Sequence, residues 1–191
     1  MITPAVAPHA IYTNSAETLK AARGLANKYG VPYLIHVSET RKEQNDSAAQ
    51  NRMSPTMYLD SLGALEGRTV MAHMVWADGG DLAVSKTRDA GIVHCPSSNM
   101  KLASGVANVT AMVRDGLRVG LGTDGPAGSN NDCSLFEEMD LAAKLEPEFW
   151  KISVEADAAS SKRMIEGGME MIVVPAPMLK KCRSRSAASG V

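Results

Sequence analysis

Apolar and polar positions follow a regular order along the chain, in which helical and strand-like segments alternate. Residues 15–29 carry apolar side chains at helical spacing, which predicts a helix with Ser15 as its N-cap and Gly30 just beyond its end. The short apolar run over residues 31–35 suits a buried strand and leads directly into His36. An amphipathic segment followed by a short apolar run is therefore the repeating unit of this chain.

Further units follow the same order of helix and strand. The predicted segments are helices over 54–63, 81–90 and 108–115, strands over 69–72, 92–93 and 117–122, and a last helix from Ser134 to about 145. Such alternation is typical of a parallel sheet with crossover helices, so the predicted fold class is α/β.

Polar side chains that suit metal binding or acid–base chemistry follow the predicted strands and do not precede them. His36 follows the first strand, His73 the second and Asp124 the fourth. Because the carboxyl ends of parallel strands meet at one edge, we expect these side chains to share a common mouth. A lone His at a strand end is more often structural, and Gly-Thr-Asp-Gly is also a common turn, but three convergent side chains favour a metal or acid–base site.

Three other residues extend this candidate site less directly. Glu39 lies three residues after His36, where it is either a surface carboxylate or the proton shuttle of a hydrolytic site. His9, in an Ala-Pro-His segment, joins the site if a strand precedes it. His94 is followed by Cys-Pro-Ser-Ser-Asn, where a loop role and a catalytic role are equally open.

The composition narrows the classes of protein that fit this pattern. With 45% hydrophobic and 21% charged residues among 191, the chain can bury a core. Twenty basic and 21 acidic residues give a formal charge of −1, which argues against a nucleic-acid or membrane-surface protein held by charge. No run approaches the roughly 18 apolar residues of a membrane span and no leader pattern opens the chain, so a cytoplasmic location is expected. Widely spaced Cys95, Cys133 and Cys182 predict buried apolar positions and no disulfide framework.

Five motifs at the predicted strand ends occur in an ordered set. They are Ala7-Pro8-His9, Ile35-His36-Val37-Ser38-Glu39-Thr40, Ala72-His73, His94-Cys95-Pro96-Ser97-Ser98-Asn99-Met100-Lys101-Leu102, and Gly120-Leu121-Gly122-Thr123-Asp124-Gly125 with Ser129-Asn130-Asn131. Over about residues 4–146, their order and spacing resemble the amidohydrolase superfamily. The similarity is greatest to its branch of 5-methylthioadenosine/S-adenosylhomocysteine deaminases.

The resemblance implies a fold that is larger than this chain can form alone. Its fold is a distorted (β/α)8 TIM-like barrel, of which residues 1–146 would hold about strands five to eight with their helices. Residues 147–191 do not resemble the family's continuation and predict an irregular, divergent tail. A closed eight-stranded barrel needs about 200 to 250 residues, so the chain is expected to be a fragment of a larger protein. A flavodoxin-like doubly wound domain fits the length better but does not explain the His and Asp strand ends.

The resemblance also implies roles for the site residues. His36 and Asp124 would hold one divalent metal ion, zinc first and Fe²⁺ as the alternative. Glu39 would pass a proton to a ring nitrogen of the substrate, His73 would orient the hydrolytic water, and Asp124 would accept the proton of that water. His9, together with Glu39 and Asp124, would contact the substrate.

The implied reaction is hydrolytic deamination of an adenosine-type nucleoside, such as S-adenosylhomocysteine or 5-methylthioadenosine, with release of ammonia. Guanine, cytosine and triazine hydrolysis are alternatives within the superfamily. The expected partner is a small nucleoside or nucleobase, without nucleic acid or membrane, and full-length relatives would be homo-oligomeric. No two histidines are separated by one residue, so the family's first-strand His-x-His metal pair has no match. A catalytically incompetent fragment is therefore the second hypothesis.

Overall fold

Helices and parallel strands alternate through residues 3–145, the part of the chain that the computed structural model describes. The helices are α1 (Ala16–Tyr29), α2 (Arg41–Asn51), α3 (Pro55–Ser61), α4 (Gly79–Thr87), α5 (Pro96–Lys101), α6 (Val109–Arg114) and α7 (Leu135–Leu145). The strands are β1 (Tyr33–Val37), β2 (Thr69–His73), β3 (Gly91–His94) and β4 (Arg118–Leu121). The tail predicted over 147–191 lies outside the described residues, and the boundary near 146 stays a prediction.

The strands form one parallel sheet in the sequential order β1-β2-β3-β4. In register, Val37 pairs with His73 and His94 pairs with Leu121, so neighbouring strands end at one edge. Sequential order joined by right-handed crossovers places the connecting helices on one face of the sheet, as in an arc of a (β/α) barrel. A doubly wound sheet reverses its strand order at a switch point, so this order excludes the flavodoxin-like alternative.

The core lies between the sheet and the helices. The buried side chains of the helix-facing side of the sheet are Tyr33, Ile35, Val37, Met71 and Ile92. They pack against helix residues that include Leu19 of α1, Leu59 of α3 and Met112 of α6. The opposite face carries the half-buried side chains of Leu34, His36, Val70 and Ala72. The first strand, predicted as buried, is therefore fully buried on one face only, whereas all four residues of β3 are buried.

Two helices were missing from the sequence prediction. Helix α2 has almost no apolar face, and the side chains that it buries are those of Glu43 and Ser47. It begins because the Thr40 hydroxyl accepts a hydrogen bond from the Glu43 backbone N–H at 3.1 Å. Helix α5 begins at Pro96, directly after β3, in the segment left open as a loop. The loop interpretation of His94 is wrong, because His94 is the last residue of β3.

The first predicted strand lies two residues too early in the chain. Pro32 has no backbone N–H, so β1 begins after it, and the Pro32 carbonyl instead accepts a hydrogen bond from Val6 N at 2.9 Å. The shift places His36 inside β1, where it pairs with Ala72. A segment containing Val6 also runs beside β1 through an isolated parallel bridge to Tyr33. This bridge holds the extended segment before His9 beside β1 and so places His9 next to the site.

The cysteine prediction holds at one described position and fails at the other. Cys95 is buried at the end of β3, whereas Cys133 is exposed in the loop before α7. Cys182 lies outside the described residues. Between residues 3 and 145, no helix combines the length and the apolar character needed to cross a membrane.

Candidate active site

Three side chains from separate strand ends meet at the carboxyl edge of the sheet. Potential ligand atoms of His36, His73 and Asp124 all lie within 4.8 Å of one another. His36 Nε2 is 3.5 Å from Asp124 Oδ1, and His73 Nε2 is 4.0 Å from Asp124 Oδ2. The predicted convergence is therefore present, although His36 and His73 belong to β1 and β2 and do not follow them.

The backbone around these side chains adopts the left-handed conformation at several residues other than glycine. The φ angles are +73° at His73, +50° at Met74, +61° at Asp124 and +51° at Ser38. Each such residue costs about 1–3 kcal/mol and persists only where the surrounding structure holds it. The chain turns sharply where the strands end, and this turn directs the side chains toward the common mouth.

Hydrogen bonding fixes the ring orientation of His36. Its Nδ1 lies 2.8 Å from the backbone oxygen of His9. A carbonyl oxygen only accepts, so Nδ1 carries a proton and Nε2 faces Asp124. The hydrogen bond with Asp124 raises the pKa of His36 above its ordinary value, against the opposing effect of burial. When the ring is neutral, the Nε2 lone pair is available to a metal ion.

His73 is held in the same tautomer by a side-chain partner. Its ring is fully buried, and Nδ1 lies 2.9 Å from Asn99 Oδ1, which accepts the proton. Nε2 has no hydrogen-bond partner within the described residues, although it lies 3.9 Å from Glu39 Oε2 and 4.0 Å from Asp124 Oδ2. Burial lowers the pKa of His73, which favours the neutral ring. An orphaned buried nitrogen between two carboxylates leaves a place for a water or ligand atom.

Both carboxylates of the site are oriented by serine hydroxyls. Ser98 Oγ donates to Asp124 Oδ2 at 2.8 Å, and Ser104 Oγ donates to Glu39 Oε1 at 2.9 Å. The hydrogen bond with His36 holds the pKa of Asp124 far below its ordinary value, so this side chain is ionised. The exposed fractions of the Asp124 and Glu39 side chains are 20% and 13%, which keeps both within reach of a small molecule.

His9 lies beside the site, whereas His94 does not belong to it. The exposed ring of His9 has its centroid 4.9 Å from that of His36, and its Nδ1 lies 3.0 Å from Thr13 Oγ1. His94 is 1% exposed and faces the helix side of the sheet, and neither of its ring nitrogens has a partner within residues 3–145. Burial lowers the pKa of His94 to about 4, so the ring is neutral.

The orienting residues Ser98, Asn99 and Ser104 had no assigned role in the sequence analysis. Ser98 and Asn99 lie in the Cys-Pro-Ser-Ser-Asn motif directly after β3, so their position at the carboxyl edge was the available signal. Ser104 carries no comparable motif. Glu43 was also missed, and its Oε2 accepts a hydrogen bond from the Glu39 backbone N–H at 2.8 Å.

The donor set and its spacing fit a divalent metal ion. Two imidazoles and a carboxylate are typical ligands of catalytic zinc, and Fe²⁺ accepts the same donors. With bonds of about 2.05 Å, two ligand atoms of a tetrahedral zinc site lie about 3.3 Å apart. The 3.5 Å between His36 Nε2 and Asp124 Oδ1 matches that spacing, whereas His73 Nε2 lies farther away, at 4.0 Å from Oδ2. The geometry therefore suits a metal between His36 and Asp124 with His73 beside it.

The chain is similar in sequence to curated proteins that are named deaminases. It is 49% identical over 143 residues to a 5′-deoxyadenosine deaminase of Methanothrix thermoacetophila, which covers 75% of this chain and 34% of the relative. It is 47% identical over 146 residues to a 5-methylthioadenosine/S-adenosylhomocysteine deaminase of Thermodesulfovibrio yellowstonii, covering 76% and 33% of the two chains. The chain thus spans about a third of the length of these curated relatives.

Solved structures and a family profile show the fold and the family. An adenosine deaminase from Xanthomonas campestris with bound zinc superposes with a TM-score of 0.72 at 32% identity, covering 86% of this chain and 39% of the other. A triazine hydrolase from Arthrobacter aurescens shares the fold, with a TM-score of 0.74 at 22% identity, covering 90% and 39%. The profile of the amidohydrolase family matches residues 1–167. This chain therefore belongs to the amidohydrolase family.

Proposed function

We propose that this chain carries catalytic residues of a metal-dependent deaminase that hydrolyses an adenosine-type nucleoside and releases ammonia. The observation that carries the proposal is the meeting of His36, His73, Asp124 and Glu39 at the carboxyl edge of one parallel sheet. The deaminase relatives, at 47–49% identity, support the adenosine-type substrate. Hydrolysis of guanine, cytosine or a triazine would use the same set of residues. The substrate comparison described below distinguishes these alternatives from the proposed reaction.

His36 and Asp124 are the residues that would hold the metal ion, with zinc as the first candidate and Fe²⁺ as the second. When bound, such an ion polarises a water molecule and lowers its pKa toward about 7. The His9 carbonyl fixes the proton on Nδ1 of His36, so that Nε2 faces Asp124 Oδ1 and would be free to bind the ion. The Ser98 hydroxyl holds Asp124 Oδ2 and leaves Oδ1 facing His36.

Proton transfers are divided among the remaining groups of the site. His73 Nε2 accepts a hydrogen bond from the attacking water and fixes its orientation between the two carboxylates. Glu39 delivers a proton to the ring nitrogen beside the reacting carbon, which makes that carbon more electrophilic. Asp124 accepts one proton of the water and passes it to the departing amine. The second proton of the water returns to Glu39 as the carbonyl group forms. One water is consumed, a carbon–oxygen bond replaces the carbon–nitrogen bond, and ammonia leaves.

His9 is the proposed substrate contact outside the proton-transfer set. Its ring is exposed and packs against His36 with centroids 4.9 Å apart, so it borders the open side of the site. Tyr12 packs edge-on against the same ring, with centroids 5.7 Å apart. These two rings give an aromatic edge on which a flat base can rest.

The test is ammonia release by the purified chain loaded with zinc. We expect hydrolysis of 5′-deoxyadenosine or S-adenosylhomocysteine, measured as ammonia, to exceed that of guanine or cytosine, measured in the same way, and that of a chlorotriazine, measured as chloride. Asp124→Asn and Glu39→Gln should each lower the rate by about 10²–10⁴-fold, the usual contribution of a positioned acid or base. Asp115→Asn, an exposed carboxylate at the end of α6, is the matched control. Equal ammonia release by Asp124→Asn and the parent would overturn the assignment.

A non-catalytic metal- or nucleoside-binding chain is the second candidate function. It is favoured by the candidate metal cluster, which within the described residues has three side chains, of which His36 and Asp124 have the spacing of zinc ligands. Zinc binding that depends on Asp124 without any ammonia release would select this second candidate over the first.

A further inference from the structure

A buried carboxylate outside the candidate site connects the loops that carry it. Glu138, in the first turn of α7, is 1% exposed. Its Oε1 accepts a hydrogen bond from Asn130 Nδ2 at 2.8 Å, and its Oε2 accepts one from the Ser97 backbone N–H at 3.0 Å. Within residues 3–145 no ion pair of Glu138 is present. A carboxylate buried without a cation is costly unless hydrogen bonds satisfy it, so these two contacts define its position.

The contact of Glu138 Oε2 with the Ser97 backbone N–H leads to the segment after β3. Ser97 is followed by Ser98, whose hydroxyl donates to Asp124 Oδ2 at 2.8 Å. The side-chain oxygen Oδ1 of the next residue, Asn99, accepts a hydrogen bond from His73 Nδ1 at 2.9 Å. One short segment therefore orients two members of the candidate site, and Glu138 holds that segment by its backbone.

The contact of Glu138 Oε1 with Asn130 Nδ2 leads to the loop after β4. Asn130 Nδ2 donates to Glu138 Oε1 and also to the carbonyl of Thr123 at 2.8 Å. Thr123 immediately precedes Asp124, which has the left-handed φ of +61°. The two contacts therefore close a ring that runs from Glu138 through Ser97 to Asp124 and back through Asn130.

Lys101 reinforces the same ring from α5. Its Nζ donates to the backbone oxygen of Asn130 at 3.0 Å and to Asn131 Oδ1 at 2.9 Å. The Ser-Ser-Asn-Met-Lys and Ser-Asn-Asn motifs, which the proton transfers use only in part, thus contact each other directly. Both motifs thus help to hold the carboxylate of Asp124 in place.

We propose that Glu138 is a positioning residue that binds the segment after β3 to the loop after β4 and so fixes the Asp124 carboxylate for metal binding. The role in metal binding rests on the proposed function, whereas the joining of the two loops does not. Without both acceptor oxygens, Ser98 and Thr123 can shift relative to each other. Asp124 then loses the fixed direction of Oδ1 toward His36.

Glu138→Gln separates this role from general packing. Glutamine keeps the shape but places an NH₂ group against one of the two donors, so one contact of the ring is lost. The matched control is Glu137→Gln, the same change at the adjacent exposed position of α7. Both variants are compared with the parent chain well below the unfolding midpoint.

Two readouts are measured. In the metal-free chain, hydrogen–deuterium exchange over 95–101 and 123–131 should be about tenfold faster in Glu138→Gln, as expected for loss of one hydrogen bond. Exchange in α1 and β1 should stay unchanged, which a general loss of stability would not allow. In zinc titrations, the affinity of Glu138→Gln should fall about tenfold, the low end for partners of metal ligands. Glu137→Gln should match the parent in both.

Each outcome has a defined meaning. Faster exchange in both loops of Glu138→Gln with weaker zinc binding supports the proposal. Unchanged exchange in either loop, or zinc affinity equal to that of the parent, overturns it. If the parent chain binds no zinc, the proposed function and the metal-positioning role fail together, and the exchange data still decide whether Glu138 joins the loops.

Discussion

His36 has two polar partners that act differently on metal binding. The His9 carbonyl fixes the proton on Nδ1 and thereby directs Nε2 toward Asp124. The Asp124 carboxylate, in the metal-free chain, raises the pKa of His36 and so favours a second proton on Nε2. A metal ion and a proton therefore compete for the same lone pair, because an imidazole ligand must be neutral.

This competition predicts a pH dependence of zinc binding. Below the raised pKa of His36, the affinity for zinc should fall about tenfold for each pH unit, because one proton must leave Nε2 on binding. Since the pKa is raised, the decline should begin above the ordinary histidine value of about 6.5. Competition with a chromophoric chelator at a series of pH values measures the effect. An affinity that stays constant through this range would contradict the placement of His36 Nε2 on the metal.

The orienting contacts mark the limit of what the sequence predicts at the residue scale. His36, His73 and Asp124 were predicted because strand ends in a parallel sheet share one edge. The contact of Ser98 with Asp124 joins residues 26 positions apart, and that of Ser97 with Glu138 joins residues 41 apart. No local pattern of polar and apolar residues indicates contacts between residues so far apart in sequence, so these contacts become visible only in the folded structure.

At the scale of elements, helix α1 is attached to the sheet by a buried guanidinium. Arg23 is 4% exposed and lies over the ring of Tyr33 at 4.2 Å from its centroid. Its Nε donates to the Ala64 carbonyl at 2.8 Å, and its Nη2 donates to Thr69 Oγ1. One side chain of α1 thus contacts β1, β2 and the segment before β2.

Arg23→Met is predicted to destabilise the chain by about 2–4 kcal/mol, because charged hydrogen bonds contribute about 1.5–3 kcal/mol each and their buried acceptors would be left unpaired. Lys20→Met, on the exposed side of the same helix, should change the free energy of unfolding by less than about 0.5 kcal/mol. Urea denaturation of both variants and the parent measures the difference. Similar midpoints for the two variants would show that α1 is held by its apolar contacts alone.

Elements were predictable where apolar periodicity or capping residues report them. Helix α1 begins after Ser15 and ends at Gly30, whose φ is +62°, as the capping pattern predicts. Helix α4 begins at Gly79, two residues earlier than predicted, because Asp78 and Asp81 form a capping box. Helix α2 gave no apolar signal, because it buries polar side chains that support the loop of Glu39.

At the scale of the whole molecule, the sequential sheet and the amidohydrolase relationship were both predictable from the ordered motifs. The uneven burial of the two faces of the sheet was not predictable. A short apolar run has the same sequence pattern whether one face or both faces of its strand are covered. Among the described residues, Leu34 and Val70 share the less buried face with His36. The metal ligand proposed at position 36 therefore lies on the side of the sheet opposite the helices.

The proposed metal site depends on His36 Nε2 and Asp124 Oδ1, which the strand ends of this sheet place 3.5 Å apart. Calorimetric titration of the metal-free chain with zinc, in the parent, Asp124→Asn and the control Asp115→Asn, tests this site. We expect one zinc per chain in the parent and the control, and a loss of affinity of at least about 100-fold in Asp124→Asn, because a direct ligand matters more than its supporting partners. Equal stoichiometry and affinity in all three proteins would contradict the proposed metal site.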